Sequence, residues 1–183
     1  MRFVLAAALL FAGCATREPL PVYGEISPFA LTAHTGEAVT LDDLRGRVWV
    51  ADFIFTNCAG PCPRMSALMR QVQELVQTVD GVSLISFTVD PDRDTPEVLT
   101  EYARRFQARE PLWRFLTGDR QTLHELKLES FKLGNVDGSL NHSTRFVLID
   151  AQGRIRGYYG TETSSPVREV VAAIKQLLEE QPS

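Results

Sequence analysis

Several features are scarce in this sequence, and each scarcity excludes a class of protein. The 183 residues include three cysteines, which are too few for a disulfide-stapled scaffold. The formal net charge is −4, and no basic patch indicates nucleic-acid binding. No internal repeat or low-complexity segment is present. Every apolar run is too short to span a bilayer. The remaining composition, 44% hydrophobic and 23% charged, is that of one globular domain long enough to bury its own core.

The N-terminal residues predict export. Phe3 to Ala12 form a short apolar region of the length found in signal peptides. Leu10-Phe11-Ala12-Gly13-Cys14 resembles a bacterial lipoprotein signal, in which Cys14 would be lipidated and become the mature N-terminus. We predict a signal peptide over 1–13, a tether over 14–24 and a domain over 25–183, held by lipid on the periplasmic side of a bacterial membrane. The alternatives are an ordinary secretory signal or an uncleaved anchor, and both also place the domain where disulfides persist.

Hydrophobic periodicity predicts an α/β domain. The pattern indicates an N-terminal hairpin and then alternating strands and helices. The predicted strands are 48–55, 82–89, a short edge strand 112–116, 144–149 and 154–159, with a hairpin at 28–41 and helices at 63–79, 96–107, 119–128 and 166–180. Strand, helix and strand in succession form a βαβ unit with parallel strands. We therefore expect a mixed central sheet flanked by helices.

Two cysteines lie where the first long strand gives way to a helix. Cys58 and Cys62 are separated by Ala59-Gly60-Pro61, and Pro63 suits a first helical turn. Unpaired N–H groups at a helix start stabilise a thiolate, so the pKa of a cysteine there is expected to fall. A thiolate is the reactive form for disulfide exchange and for binding soft metals. The alternative is a structural disulfide or two buried thiols.

The predicted topology brings further polar residues to the same rim of the sheet. Ligands bind beyond the carboxyl ends of parallel strands, and Asp90 and Arg93 follow the second strand. His142 precedes strand 144–149, so it reaches this rim if that strand runs antiparallel. Two thiolates and an imidazole form a soft set suited to copper, although zinc would also accept it. The alternative is a loop histidine with one hydrogen bond. His34 and His124 are interpreted as structural or surface residues.

Three ordered motifs in this chain resemble the Sco/SenC family. They are Cys58-x-x-x-Cys62-Pro63, then Thr88-Val89-Asp90-Pro91-Asp92-Arg93-Asp94-Thr95-Pro96, then His142-Ser143-Thr144 before Phe146-Val147-Leu148-Ile149-Asp150. The resemblance covers about residues 25–180. It implies a thioredoxin-like fold and copper, as Cu(I) or Cu(II), bound by Cys58, Cys62 and His142. Asp90 falls where the family has an acidic residue near the metal, and Arg93 lies beside it.

The resemblance also implies a role and partners. Family members deliver copper, or reducing equivalents, to the binuclear copper site of cytochrome c oxidase. The implied partner is therefore the copper-bearing oxidase subunit, with other periplasmic copper or thiol carriers as further candidates. We expect a copper-binding assembly factor rather than an enzyme in the turnover sense.

A second resemblance favours a thiol–disulfide oxidoreductase. Asp52 precedes Cys58 by six residues, the offset at which thioredoxins carry a buried aspartate that exchanges protons with the dithiol. Burial would raise the pKa of such a carboxyl and make it a candidate proton relay, whereas a solvent-facing edge position would not. Against an oxidoreductase, no proline occurs between Pro111 and Pro166, so the chain lacks the proline that thioredoxins place before the strand facing the dithiol. His142 stands near that place, which favours a metal over a substrate thiol. A peroxide-reducing or redox-sensing module is the third hypothesis.

Overall fold

The computed structural model describes residues 17–134 and 144–180. The predicted signal peptide, Cys14 and the candidate ligand His142 lie outside these residues. The strands of the described chain are β1 (Gly24–Glu25), β2 (Ala30–Ala33), β3 (Ala38–Thr40), β4 (Val48–Ile54), β5 (Val82–Thr88), β6 (Trp113–Thr117), β7 (Arg145–Ile149) and β8 (Arg154–Gly160). The helices are α1 (Pro61–Val76), α2 (Pro96–Arg105), α3 (Arg120–Glu125) and α4 (Pro166–Glu180), with a 3-10 turn at Asp42–Leu44 and a π-helical turn at Leu126–Ser130.

The strands form one mixed sheet in the order β1-β8-β7-β4-β5-β6-β2-β3. β4, β5 and β6 run parallel, because α1 and α2 supply the crossover connections that parallel neighbours need. β7 runs antiparallel to β4, and β2 and β3 form the N-terminal hairpin. The α/β class, the mixed sheet and the hairpin are confirmed.

The side chains of β4 divide between two cores. Val50 and Ile54 belong to the apolar cluster that includes residues of α1, α2 and α4. Ala51 and Phe53 belong to the cluster on the opposite face, with residues of α3 and the hairpin. Because side chains alternate along a strand, Asp52 faces the side of the sheet that carries α1. The sequence alone could not decide this orientation.

Two predicted boundaries need correction. Helix α1 begins at Pro61 and ends at Val76, where the pattern predicts residues 63–79. Pro61 takes the first helical position, which tolerates a missing N–H, and Cys62 therefore lies inside the first turn. β6 is an internal strand rather than the predicted edge strand, because the hairpin adds beyond it through the pair Thr32 and Thr117.

The residues before the domain are bonded to its C-terminal part. The Gln176 side chain donates to the carbonyl of Glu18 (2.8 Å), and the N–H of Leu20 donates to Glu180 (3.0 Å). The N–H of Tyr23 then donates to a carbonyl of β8 (2.9 Å). Glu18, Leu20 and Tyr23, which the sequence analysis assigned to the tether, are thus hydrogen-bonded to the domain. Within the described ranges, no helix is long and apolar enough to cross a membrane.

Candidate metal centre and dithiol site

The two cysteines lie together at the carboxyl end of β4 as free thiols. Cys58 is 8% exposed in the loop after β4, and Cys62 is fully buried in the first turn of α1. The backbone N–H of Gly60 donates to Cys58 Sγ (3.4 Å). A Cβ on Gly60 would lie 3.9 Å from that sulfur, an ordinary van der Waals contact. The difference in exposure makes Cys58 the more accessible thiol.

The Cys62 thiol is not the stabilised thiolate that its place at a helix start predicts. Burial raises the pKa of Cys62 well above its ordinary value, and its hydrogen bond with Cys58 raises the pKa further. A backbone hydrogen bond at Phe55 opposes these effects. Desolvation of a charged sulfur therefore outweighs the favourable field of the helix start. In the metal-free, reduced protein Cys62 holds its proton, and a bound cation must displace it.

Asp52 is a buried carboxyl beside the dithiol. It is fully buried, and neither carboxyl oxygen has a partner in normal hydrogen-bond geometry among the described residues; the Ser86 hydroxyl, at the paired position of β5, interacts with it only weakly. Burial raises the pKa of Asp52 to about 7, while the Ser86 hydroxyl on β5 opposes the shift. Buried carboxyls without hydrogen bonds are rare and costly in proteins. Of the two orientations that the sequence left open for Asp52, the buried one is observed, and its proton-relay role stays a prediction.

Asp90 and Arg93 lie at the adjoining strand end and pair with each other. Arg93 donates to Asp90 (2.8 Å), and the Arg93 side chain is 73% exposed while that of Asp90 is 19% exposed. The Asp90 carboxylate raises the pKa of Arg93. This pair borders the rim on which the thiols lie, so the predicted convergence of the β4 and β5 ends is observed.

Sequence reasoning missed the role of Asp94. The residue is fully buried and accepts hydrogen bonds from the side chains of Thr56 and Thr88, each at 2.5 Å. It also accepts from the backbone N–H of Thr56 (3.1 Å). Asp94 thereby fastens the loop that carries Cys58 to the end of β5. The only sequence signal for this role was that Asp94 directly precedes Thr95, the cap of α2. A solvated acidic residue is equally typical of that position.

The start of β7 lies at the same rim. β7 pairs antiparallel with β4, with Val147 opposite Ala51. The N–H of Thr161 donates to the carbonyl of Thr144 (2.8 Å), and Arg64 of α1 donates to the carbonyl of Thr161 (3.0 Å). The antiparallel direction on which the His142 prediction depends is therefore observed. His142 itself is outside the described residues, and residues 17–134 and 144–180 contain no group of three or more potential metal ligands.

The other two histidines are distinct from this rim. His34 is buried, accepts from the N–H of Phe115 (3.2 Å) and pairs with Glu110 (3.2 Å). Burial lowers the pKa of His34, although the Glu110 carboxylate opposes this. His124 is exposed on α3. Both positions agree with a structural or surface role.

Comparison with known proteins gives the family. The SCO1/SenC family pattern matches residues 19–179. The fold is similar to that of a SCO1/SenC family lipoprotein from Bacillus anthracis str. Ames, with TM-score 0.77 and 33% identity over 90% of this chain and 99% of the other. It is also similar to BsSco, a member of the Sco family of cytochrome c oxidase assembly proteins in which a disulfide switch was identified, with TM-score 0.77 and 32% identity over 90% and 98% of the two chains.

A further similar structure contains a metal. Bradyrhizobium japonicum ScoI, solved with copper bound, matches with TM-score 0.69 and 26% identity over 84% of this chain and 99% of the other. The family pattern spans nearly all of the described residues, and the three solved structures match this fold over 84% to 90% of the chain. The chain therefore belongs to the SCO1/SenC family and has its thioredoxin-like fold.

Proposed function

We propose that this protein is a copper-binding metallochaperone that delivers copper to the binuclear copper site of cytochrome c oxidase. The observation that carries the proposal is the pair of free, adjacent thiols at the carboxyl end of β4. Cys58 and Cys62 supply two soft sulfur ligands, and His142 supplies the third ligand. Bradyrhizobium japonicum ScoI, a relative with this fold, binds copper.

The chemistry of the donor set fits copper as cargo. Two thiolates favour Cu(I), and an imidazole, as a borderline ligand, also accommodates Cu(II). Because buried Cys62 is protonated without metal, copper binding releases its proton to solvent. Asp90 and Arg93 border the rim and are proposed to hold its charge balance and orientation rather than to bind the metal.

The same two thiols provide a means of release. Oxidation of Cys58 and Cys62 to a disulfide removes two electrons and two protons from the dithiol, and a disulfide cannot serve as a pair of thiolate ligands. An oxidised client disulfide would accept those electrons. This coupling would let one site deliver either copper or reducing equivalents.

The proposed partner is the copper-bearing subunit of the oxidase. BsSco belongs to a family of cytochrome c oxidase assembly proteins, and the Bacillus anthracis relative is a lipoprotein. We propose that Cys14 carries the lipid and that the domain lies on the periplasmic side of the membrane.

Copper titration of the reduced full chain tests the ligand set. We expect about one equivalent of retained Cu(I) after desalting, and a sulfur-to-Cu(II) charge-transfer band with Cu(II). Cys58→Ser, Cys62→Ser and His142→Ala should each lose or strongly weaken retention. His124→Ala is the matched control, because His124 is an exposed histidine on α3. Retention indifferent to His142→Ala would reject the proposed site.

A second candidate function is thiol–disulfide exchange, which the burial of Asp52 favours. A carboxyl with a pKa of about 7 beside a dithiol can take the proton that leaves a buried thiol and return it later. Cys58 would attack a target disulfide because it is the more exposed sulfur, and Cys62 would resolve the mixed disulfide.

Reduction of insulin by the reduced chain tests this second function. Cys58→Ser should abolish reduction, and Asp52→Asn should slow it most above pH 7, where the carboxyl is ionised. Unchanged reduction by Cys58→Ser would dismiss the oxidoreductase hypothesis without touching the copper proposal.

A further inference from the structure

A cavity of about 480 Å³ opens on the opposite face of the sheet from the thiols. Its wall includes Val89, which directly follows β5, and Leu123 of α3. Both residues belong to or pack against the apolar cluster that does not contain the cysteines. The N–H of Val89 donates to the carbonyl of Ile54 (2.8 Å), so the cavity borders the carboxyl end of β4. The dithiol and the cavity therefore lie on two faces of one sheet end.

Lys127 is the unusual residue in this cavity. It is 8% exposed, and its side chain has no hydrogen bond or ion pair with a residue that the structure describes. Lys127 lines the cavity, so its small exposed part borders this space. Burial lowers the pKa of Lys127, as expected for an ammonium that lacks a counter-charge.

The two permanently charged groups beside Lys127 on the cavity wall, Asp119 and Arg120, already have partners, and His124 is exposed on the same wall. Arg120 pairs with Asp92. The carboxylate of Asp119 accepts from the N–H of Thr122 (2.8 Å) as the cap of α3. Among the residues that the structure describes, the buried ammonium of Lys127 thus has no counter-charge, and it lies beside an apolar wall.

We propose that this cavity binds a carboxylate carried on an apolar body, with Lys127 pairing the carboxylate and with Val89 and Leu123 packing against the apolar part. One unmatched ammonium balances one negative charge, which a carboxylate carries. A phosphate carries close to two charges and would meet the Asp119 carboxylate on the same wall. The carboxylate could belong to a free organic acid or to an acidic residue set among apolar residues of a docking protein. The proposal does not depend on copper binding.

Competitive acetylation of the full chain, read by mass spectrometry at each lysine, tests the site. The chain has two other lysines, Lys132 and Lys175, which are both exposed. We expect 4-phenylbutyrate to protect Lys127 and neither of the others. The neutral analogue 4-phenylbutan-1-ol should need a concentration at least about tenfold higher, because a charge-assisted hydrogen bond is lost.

A charge change at an exposed position of the cavity wall provides a second test, with circular dichroism as the check on folding because the Gln121 amide donates to Glu125 (2.7 Å). Gln121 is exposed and lines the cavity, so Gln121→Glu places a negative charge beside the ligand and should raise the half-protecting concentration about fivefold or more. Gln71→Glu, an exposed position on α1, makes the same change in net charge elsewhere and should have no effect.

The outcomes separate the proposal from its alternatives. No protection of Lys127, equal protection by the alcohol, or indifference to Gln121→Glu would each overturn it. A blocked tetrapeptide with one glutamate among apolar residues distinguishes the two sources. If the peptide protects Lys127 at a lower concentration than 4-phenylbutyrate does, the partner is a protein. If 4-phenylbutyrate protects at the lower concentration, the ligand is a free organic acid.

Discussion

Two buried aspartates, one at each end of the central strands, lie in opposite surroundings. Asp150 follows β7 and is buried against two arginines, Arg154 (2.8 Å) and Arg156 (3.0 Å). Burial alone would raise the pKa of Asp150, but hydrogen bonds from these residues hold it below its ordinary value. Asp52, near the dithiol, is also buried and has no partner in normal hydrogen-bond geometry among the described residues, so its pKa rises to about 7 despite the weak Ser86 interaction.

The difference separates polar burial that holds the fold from polar burial that leaves a group free to react. The Asp150 end fastens the N-terminal segment, since Arg156 also donates to the carbonyl of Leu20 and to Glu180 (2.7 Å). Among the described residues Asp52 has only the weak Ser86 interaction, so no partner holds its carboxyl in the ionised form. Perturbed, unpaired carboxyls of this kind are typical of functional sites.

The largest expected effect comes from breaking the paired end. Arg156→Met leaves Asp150 buried without its best partner, and we expect a loss of about 3–5 kcal/mol in the free energy of unfolding. Arg154→Met is the control, because the Arg154 side chain is 38% exposed and surface ion pairs contribute about 0–1 kcal/mol. Denaturant unfolding of both variants measures the difference. Equal losses would mean that the network is not a stabilising feature.

At neutral pH the charge of Asp52 should have the opposite effect to that of Asp150, because ionising a buried carboxyl without partners lowers the free energy of unfolding. The folded protein holds the Asp52 proton up to a pKa of about 7, against an ordinary value of 3.8. Between these pH values the folded state binds more protons than the unfolded state, so wild-type stability falls as pH rises through this window. The fall attributable to Asp52 is about 4 kcal/mol at most.

Asp52→Asn removes this titration. The free energy of unfolding of the reduced, metal-free variant, measured by denaturant from pH 4 to 8, should lack that part of the fall. The difference between wild type and variant should therefore change steadily across the window. Parallel curves would show that Asp52 has an ordinary pKa and that its surroundings are better solvated than the structure indicates.

A third change tests whether pairing also matters at the dithiol end. Asp94→Asn replaces one accepting oxygen with an amide that cannot accept from Thr56, so we expect a loss of about 1–3 kcal/mol. The Thr56 N–H donates a hydrogen bond to the Asp94 carboxylate, so its amide hydrogen exchange should also become faster. Asp119→Asn is the matched control, because Asn caps a helix about as well as Asp. Equal effects of the two changes would remove the assigned role of Asp94.

Local pattern and strand order predicted the framework of this site but not its electrostatics. The alternation and length of the apolar runs were enough to place β4, β5 and the helix after the cysteines, and hence the shared rim. The internal position of β6 could not be predicted, because it depends on where the distant hairpin pairs. Nor could the pKa of Cys62, since a helix start and complete burial act in opposite directions and sequence does not show how deep a turn lies.

The candidate ligands divide in the same way. Cys58 and Cys62 were predicted from spacing and are observed together. His142 was predicted from the order of elements and stays a prediction. Asp94 was missed because a buried acceptor and a solvated cap-flanking carboxylate have the same sequence signature, and only the threonines that surround it in space distinguish them.

The smallest expected effect concerns a neutral pair on the same face as Asp52. Ser66 and Tyr102 are buried, and their hydroxyls share a hydrogen bond of 3.1 Å. Burial raises the pKa of Tyr102, so its hydroxyl stays protonated at neutral pH. Tyr102→Phe and Ser66→Ala should each cost about 1 kcal/mol, because each leaves one buried hydroxyl without its partner.

The double variant tests whether the hydroxyls of Ser66 and Tyr102 stabilise the fold as a hydrogen-bonded pair. Removing both hydroxyls leaves no unpaired group, so Ser66→Ala with Tyr102→Phe should cost clearly less than the sum of the single changes in denaturant unfolding. Additive losses would mean that the hydroxyls stabilise the fold separately and not as a pair. A positive coupling would place this pair with Asp150 among the satisfied structural groups. Asp52, which lacks a partner in normal hydrogen-bond geometry among the described residues, would then contrast with this pair on the same face, as the proposed proton exchange beside the dithiol requires.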